Sequence, residues 1–182
     1  CYGTRGVRTP NIDRLASQGI RFTNAFSSAP VCSASRSALI TGVSQTAIGA
    51  QHHRTLNKQA LPDGIEPLPA ILAGHGVASF NGNFNLSRNG KTDYNFKWPG
   101  PPLYTGADFF SATTLPFFAQ VQIYEPHRSF SKDGVPSREL ILEVPPWLPD
   151  VPLVRADEAG YLASIEILDR KVGRILDRIE KQ

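Results

Sequence analysis

The sequence predicts an α/β protein built on a largely parallel sheet. Segments of helical period alternate with short apolar runs along the chain, the order in which parallel sheets are wound. The apolar run at residues 117–124 suits a buried central strand, and a long amphipathic helix follows it. Composition permits such a core. Of 182 residues, 41% are hydrophobic and 19% charged, which argues against disorder, collagen or a coiled coil. No apolar run approaches the roughly 18 residues of a membrane span.

Each element has a local reason. Residues 11–19 read as a short helix: Pro10 precedes it, Ile12, Leu15 and Ala16 recur at helical spacing, and Gly19 ends it. Residues 20–26 alternate through Ile20, Phe22, Asn24 and Phe26, the pattern of a strand, and a turn or loop follows over 27–31. Residues 35–41 predict a helix stopped by Gly42, which leaves Cys32 just before its N-terminus. Residues 66–73 predict a helix closed by Gly74 or Gly76, and 77–80 a short strand. The Asn- and Gly-rich stretch 81–95 reads as loop. Residues 97–115 hold four aromatics, three Pro and two Gly, an irregular excursion. Pro126 ends the 117–124 strand, with His127 just past its C-terminal end, where ligands gather in parallel sheets. Residues 144–152 contain four Pro and cannot be regular. A long helix over 155–180 carries Leu162, Ile165, Leu168, Val172, Ile175, Leu176 and Ile179 on one stripe. No internal repeat and no clear domain boundary is visible.

Net charge is +3, too small to imply nucleic acid, but it is unevenly spread. Residues 1–58 hold seven Lys/Arg and one acid, whereas the remainder holds 12 basic and 15 acidic residues. An electropositive first third fits an anionic ligand, or equally a segment whose acidic partners lie elsewhere. Two cysteines make no disulfide framework. The chain begins with Cys1 and contains no Met, from which a fragment of a longer protein is expected.

The segment V-C-S-A-S-R-S-A-L-I-T-G, residues 31–42, concentrates the chemistry. A Cys at a helix N-terminus faces backbone N–H groups and the positive end of the dipole. Arg36, four residues on, can bring its guanidinium to the same spot, and both effects lower a thiol pKa and attract anions. Ser33 and Ser35 are candidate caps. Taken alone, these residues describe either an anion pocket with a potential nucleophile or a small buried Cys beside a surface Arg.

Cys32, Ala34, Ser35, Arg36, Thr41 and Gly42 match the catalytic signature of type I sulfatases, and the likeness is highly specific because it runs from Thr9 through the signature. The segment T-P-N-I-D-R-L-A-S-Q-G-I-R-F-T-N-A-F-S resembles the one leading into that signature. The resemblance implies an alkaline-phosphatase-like α/β sandwich, a central largely parallel sheet flanked by helices, of which this chain is a partial domain. It implies that Cys32 is oxidised after translation to formylglycine, by a formylglycine-generating enzyme or an anaerobic maturase. One hydroxyl of the hydrated aldehyde attacks the sulfur of a sulfate ester, and the other later expels sulfate. Arg36 would stabilise the modified side chain. A divalent metal, usually Ca2+, would bind the sulfate oxygens and the formylglycine, so Cys32 in that form is also a metal ligand. The family's acidic metal ligands would lie outside this chain, making residues 1–182 a part of a sulfatase catalytic domain truncated at both ends.

Further segments carry the same resemblance. G-A-Q-H-H-R, residues 49–54, is similar to a His-rich loop of bacterial members. It offers His53 and Arg54 as substrate contacts, or simply an exposed polar loop. His52 and His53 are adjacent, so on a strand they face opposite ways, which argues against a two-ligand zinc site. N-G-K-T-D-Y-N-F, residues 89–96, resembles the family's Gly-Lys element and makes Lys91 the sulfate-binding lysine. Many members place a His two residues later; Asp93 stands there. P-F-F-A-Q-V-Q-I-Y-E-P-H, residues 116–127, is similar to a family strand ending in Pro-His, which makes His127 a candidate to bind sulfate or protonate the departing alcohol. The implied substrate is a sulfated small molecule or glycan, more specifically a sulfated carbohydrate, and the implied location is periplasmic or secreted. The alternatives are a phosphonate or phosphodiester hydrolase of the same superfamily and a catalytically dead module that binds sulfated glycans through an unmodified Cys32.

On this reading the 182-residue chain alone neither binds calcium tightly nor turns over. Measurable aryl-sulfate hydrolysis by the purified chain would overturn that expectation.

Overall fold

The computed structural model describes residues 2–113, 115–133 and 141–181. They fall into two compact units, one of residues 24–122 and one of residues 1–23 with 123–182.

The 24–122 unit contains helices α2 (Cys32–Thr41) and α3 (Leu68–Gly74) and strands β1 (Gln59–Ala60), β2 (Ala78–Asn83), β3 (Phe96–Lys97) and β4 (Phe117–Gln122). A 3-10 turn spans Phe109–Ser111. Strands β2 and β4 pair in parallel over six residues, from Ala78 with Phe117 to Asn83 with Gln122, and β1 pairs in parallel with β3. Parallel strands with helices alongside are the expected alkaline-phosphatase-like α/β arrangement, formed here by two strand pairs. Helix α3 packs on β2 and on α2. Ile40, Ile48, Ala50 and Phe96 form a buried core, with Tyr94 and Trp98 against it.

Strand β2 runs three residues beyond the sequence expectation, through Asn81, Gly82 and Asn83. Pairing overrides their poor strand propensity, because both edges of β2 are used. β4 lies on one, and on the other Thr105 N–H donates to Ser79 O and Asn81 N–H to Gly106 O. Gly82 is required there: a Cβ would collide with the Ala107 carbonyl oxygen. Among the described residues of the excursion over 97–115, Lys97 belongs to β3, and the rest is irregular as expected apart from the 3-10 turn and the bridge at Gly106.

The expected strand over 20–26 is not formed. Ile20 is 82% and Phe26 91% exposed, and no strand among the described residues pairs with this stretch. Alternation marks a strand only when a neighbouring edge takes up its backbone groups.

The other unit is organised by two helices, α1 (Pro10–Gln18) and α4 (Pro152–Ile179). α4 begins three residues before the sequence expectation. Pro152, counted among the residues that could not be regular, opens it, since the first turn needs no amide donor. Of the apolar stripe only Leu162 is buried; the rest of the buried face is Ala159, Gly160, Ala163, Ser164, Asp169 and Gly173, and Ile179 is exposed. Asp169 explains why. α1 has no side-chain cap of its own. Instead Asp169, 1% exposed, accepts from the Ile12 amide at 2.8 Å, the Asn11 side chain at 2.8 Å and the Asn11 amide at 3.3 Å. A buried carboxylate at a helix N-terminus satisfies orphan donors and meets the positive dipole end. Gly173 leaves the space in which the Asn11 side chain sits. Leu142, Ala159 and Leu162 form a small core beside this contact, with Val7 and Val144.

Asp169→Ala strands three donors and is expected to cost about 3 kcal/mol or more in stability. Gly173→Val displaces Asn11 and is expected to cost roughly 1–3 kcal/mol. Urea denaturation midpoints check both; wild-type stability in Asp169→Ala would refute the capping role.

Candidate active site

Helix α2 opens at Cys32 itself, so the cysteine is its first residue rather than the one before it. Val31 takes the extended cap position and no side chain caps the helix, so neither Ser33 nor Ser35 does so. Gly42 ends it with φ 67° and its amide on Ala38 O, the expected left-handed stop. The serines do other work. Ser35 pairs with Ser27 (3.1 Å), while Ser33 and Ser37 turn inward and are fully buried.

These two buried hydroxyls assemble the site. Ser37 accepts from the Asn95 amide (2.8 Å) and donates to Ser33 O (2.7 Å). Asn95, 1% exposed, donates to His52 O (2.8 Å) and accepts from the Thr55 amide (2.9 Å) and hydroxyl (3.0 Å). The 52–55 bend and the 91–96 segment are thereby pinned to α2. Ser33 Oγ accepts from the Arg54 amide (3.1 Å) and lies 3.0 Å from His53 Nδ1. This contact holds the His53 ring against the start of α2, with either atom as the donor.

Two of the cations, Arg54 and Lys91, meet at one carboxylate, and the third bonds the Lys91 backbone. Arg36 Nη1 donates to Lys91 O (3.0 Å). Asp93, its side chain 15% exposed, accepts from Arg54 Nε and Nη2, both at 2.9 Å, and lies 3.2 Å from Lys91 Nζ. The Arg54 hydrogen bonds, with Lys91 beside them, hold the Asp93 carboxyl below the usual carboxylate range. The same pairing raises the Arg54 pKa, and the neighbouring Cys32 thiol, when ionised, adds to it. Arg54 (φ 54°) and Asp93 (φ 51°) are both in the left-handed region, a strained conformation for a long side chain such as Arg.

Cys32 and Arg36 face a cleft of about 380 Å3, also lined by Ser35, Tyr94, Gln120 and Gln122. Tyr94 and Tyr104 share a 2.6 Å hydroxyl contact, and Tyr104 donates to Gln120. Burial raises both phenol pKa values, opposed in part by nearby Arg36, so the tyrosines stay neutral donors. Sequence reasoning missed the framework roles of Ser33, Ser37 and Asn95, and it missed Tyr94, Gln120 and Gln122. Only the two-residue spacing of Gln120 and Gln122, which puts both on one face of β4, was open to reading.

The structure thus gathers Cys32, Arg36, His53, Arg54 and Lys91 within one unit. His127 belongs to the other, five residues past the end of β4. It is exposed, its ring lies 5.0 Å from Tyr124, and Nδ1–H donates to Arg128 O (2.6 Å), which leaves Nε2 as the nitrogen it presents. The residues present do not fit a metal site: among those described, no three His, Cys, Asp or Glu groups cluster to hold an ion. Asp93, the acid nearest the cations, is already taken by Arg54 and Lys91. Among the described residues, no helix is long and apolar enough to cross a membrane.

Comparison with known proteins shows the family. An ulvan-active sulfatase of Formosa agariphila is 24% identical over 227 positions, covering 98% of this chain and 38% of that protein. Human N-sulphoglucosamine sulphohydrolase is 26% identical over 218 positions, covering 98% and 43%. Canine arylsulfatase H is 57% identical over 42 positions, 23% of the chain. The chain spans about two fifths of the length of the first two relatives. The family model for Sulfatase matches residues 1–182, and the chain belongs to that family.

Proposed function

We propose that residues 1–182 are part of the catalytic domain of a sulfuric ester hydrolase whose nucleophile is made from Cys32. The observation that carries the reading is the cation cluster at the start of α2. Arg36 shares the cleft with Cys32 and clasps the Lys91 carbonyl, and the Arg54 amide bonds the Ser33 hydroxyl beside Cys32. Formylglycine, when hydrated, supplies a hydroxyl that attacks the ester sulfur. Arg36 holds the modified side chain and Lys91 donates to a nonbridging sulfate oxygen. His53 and Arg54, both bonded to Ser33 Oγ beside Cys32, contact the substrate. His127, when its ring carries a second proton on Nε2, passes that proton to the departing alcohol and is left neutral with Nδ1–H on the Arg128 carbonyl.

A sulfated carbohydrate is the proposed substrate. Two relatives bear names of sulfated sugars, and the Tyr94, Gln120 and Gln122 lining suits hydroxyl groups. The proposed partners are that substrate and a maturase acting on Cys32. The proposed location is periplasmic or secreted. Calcium in the parent enzyme would take its acidic ligands from outside these 182 residues.

Peptide mass spectrometry on the protein from its native host is expected to find an aldehyde at Cys32. Cys32→Ala in the full-length enzyme is expected to lower sulfate-ester turnover about 10^4-fold or more. An unmodified thiol favours the binding module, and phosphodiester turnover exceeding aryl-sulfate turnover favours the phosphodiesterase; either result rejects the sulfatase reading.

A further inference from the structure

We propose that Asp93 sets the charge selectivity of the anion site, tuning it to a singly charged ester and against a doubly charged one. The inference rests on the proposed site and adds to it the reason for a carboxylate among its cations. Arg36 lines the Cys32 cleft and donates to the Lys91 carbonyl, the Arg54 amide bonds Ser33 next to Cys32, and the Arg54 and Lys91 side chains meet at Asp93; the proposed site therefore counts three positive charges, of which Asp93 offsets one. A sulfate monoester carries one negative charge, and a phosphate monoester near neutral pH carries nearly two. Attraction scales with the product of the charges, so each extra positive charge favours the dianion about twice as strongly as the monoanion.

The geometry leaves the cations usable. Arg54 points Nε and Nη2 at Asp93, while its Nη1 and two of the three Lys91 protons take no part in that pairing. Asp93 therefore neutralises charge without occupying every donor. Its position is built rather than incidental. The carboxylate is mostly covered although Arg54 is half exposed, it accepts in fork geometry from Arg54, and Arg54 itself holds a left-handed backbone (φ 54°) that is strained for its long side chain. A solvated surface pair would show neither cover nor strain.

The test measures binding of methyl sulfate, a monoanion, and methyl phosphate, largely a dianion at pH 8, by calorimetry on the full-length protein. Asp93→Asn is expected to shift the affinity ratio at least tenfold toward methyl phosphate. The double variant Arg54→Gln/Asp93→Asn restores the net charge and is expected to return the ratio to within about threefold of wild type, which a purely structural role would not do. Should Asp93→Asn fail to fold, the double variant is compared with Arg54→Gln alone, and the ratio must again move toward the dianion. An unchanged ratio in a folded variant overturns the proposal, as does failure of the wild type to bind either probe. Loss of the sulfatase reading shows instead as absent sulfate-ester turnover, a separate measurement from these binding ratios.

Discussion

The candidate site depends on two buried hydroxyls and one buried amide. Ser33, Ser37 and Asn95 are withdrawn from solvent, and each satisfies backbone groups of another segment. Neither the 52–55 bend nor the 91–96 segment has enough regular structure to hold itself in place. What holds them is the penalty for leaving a buried polar group unpaired, which makes such a network all-or-none. Because Ser33 follows Cys32 directly and Ser37 follows Arg36, the inner face of α2 anchors the loops while its outer face turns Cys32 and Arg36 to the cleft.

The other unit solves a related problem with a charge. α1 lacks a cap from its own flank, and Asp169 on α4 supplies one. The carboxylate meets the positive end of the helix, and Gly173 makes room for Asn11 to complete the contact. In both units a polar group buried at a helix does what apolar packing alone would do less specifically.

Charge balance ties the site to its chemistry as a member of the sulfatase family. The first 58 residues looked like an electropositive face in want of acids. Part of the answer lies inside the chain, since Asp93 is held between Arg54 and Lys91. A carboxylate at that position first read as a departure from the usual His; the structure gives it two partners. Cations kept close together repel one another, and a shared anion offsets that repulsion.

By itself the sequence determined the family and the fold class. The signature from Cys32 to Gly42 and the segment leading into it are contiguous, and contiguous patterns survive without tertiary information. Gly42 and the end of α3 near Gly74 and Gly76 were also legible, because a helix stop is local. Strand limits were not. β2 extends through Asn81–Asn83 and residues 20–26 form no strand, because pairing partners distant in sequence decide both outcomes. The buried roles of Ser33, Ser37, Asn95 and Asp169 were equally hidden. A polar residue's place in a core depends on which distant backbone groups need a partner, and only the folded chain brings those groups to it.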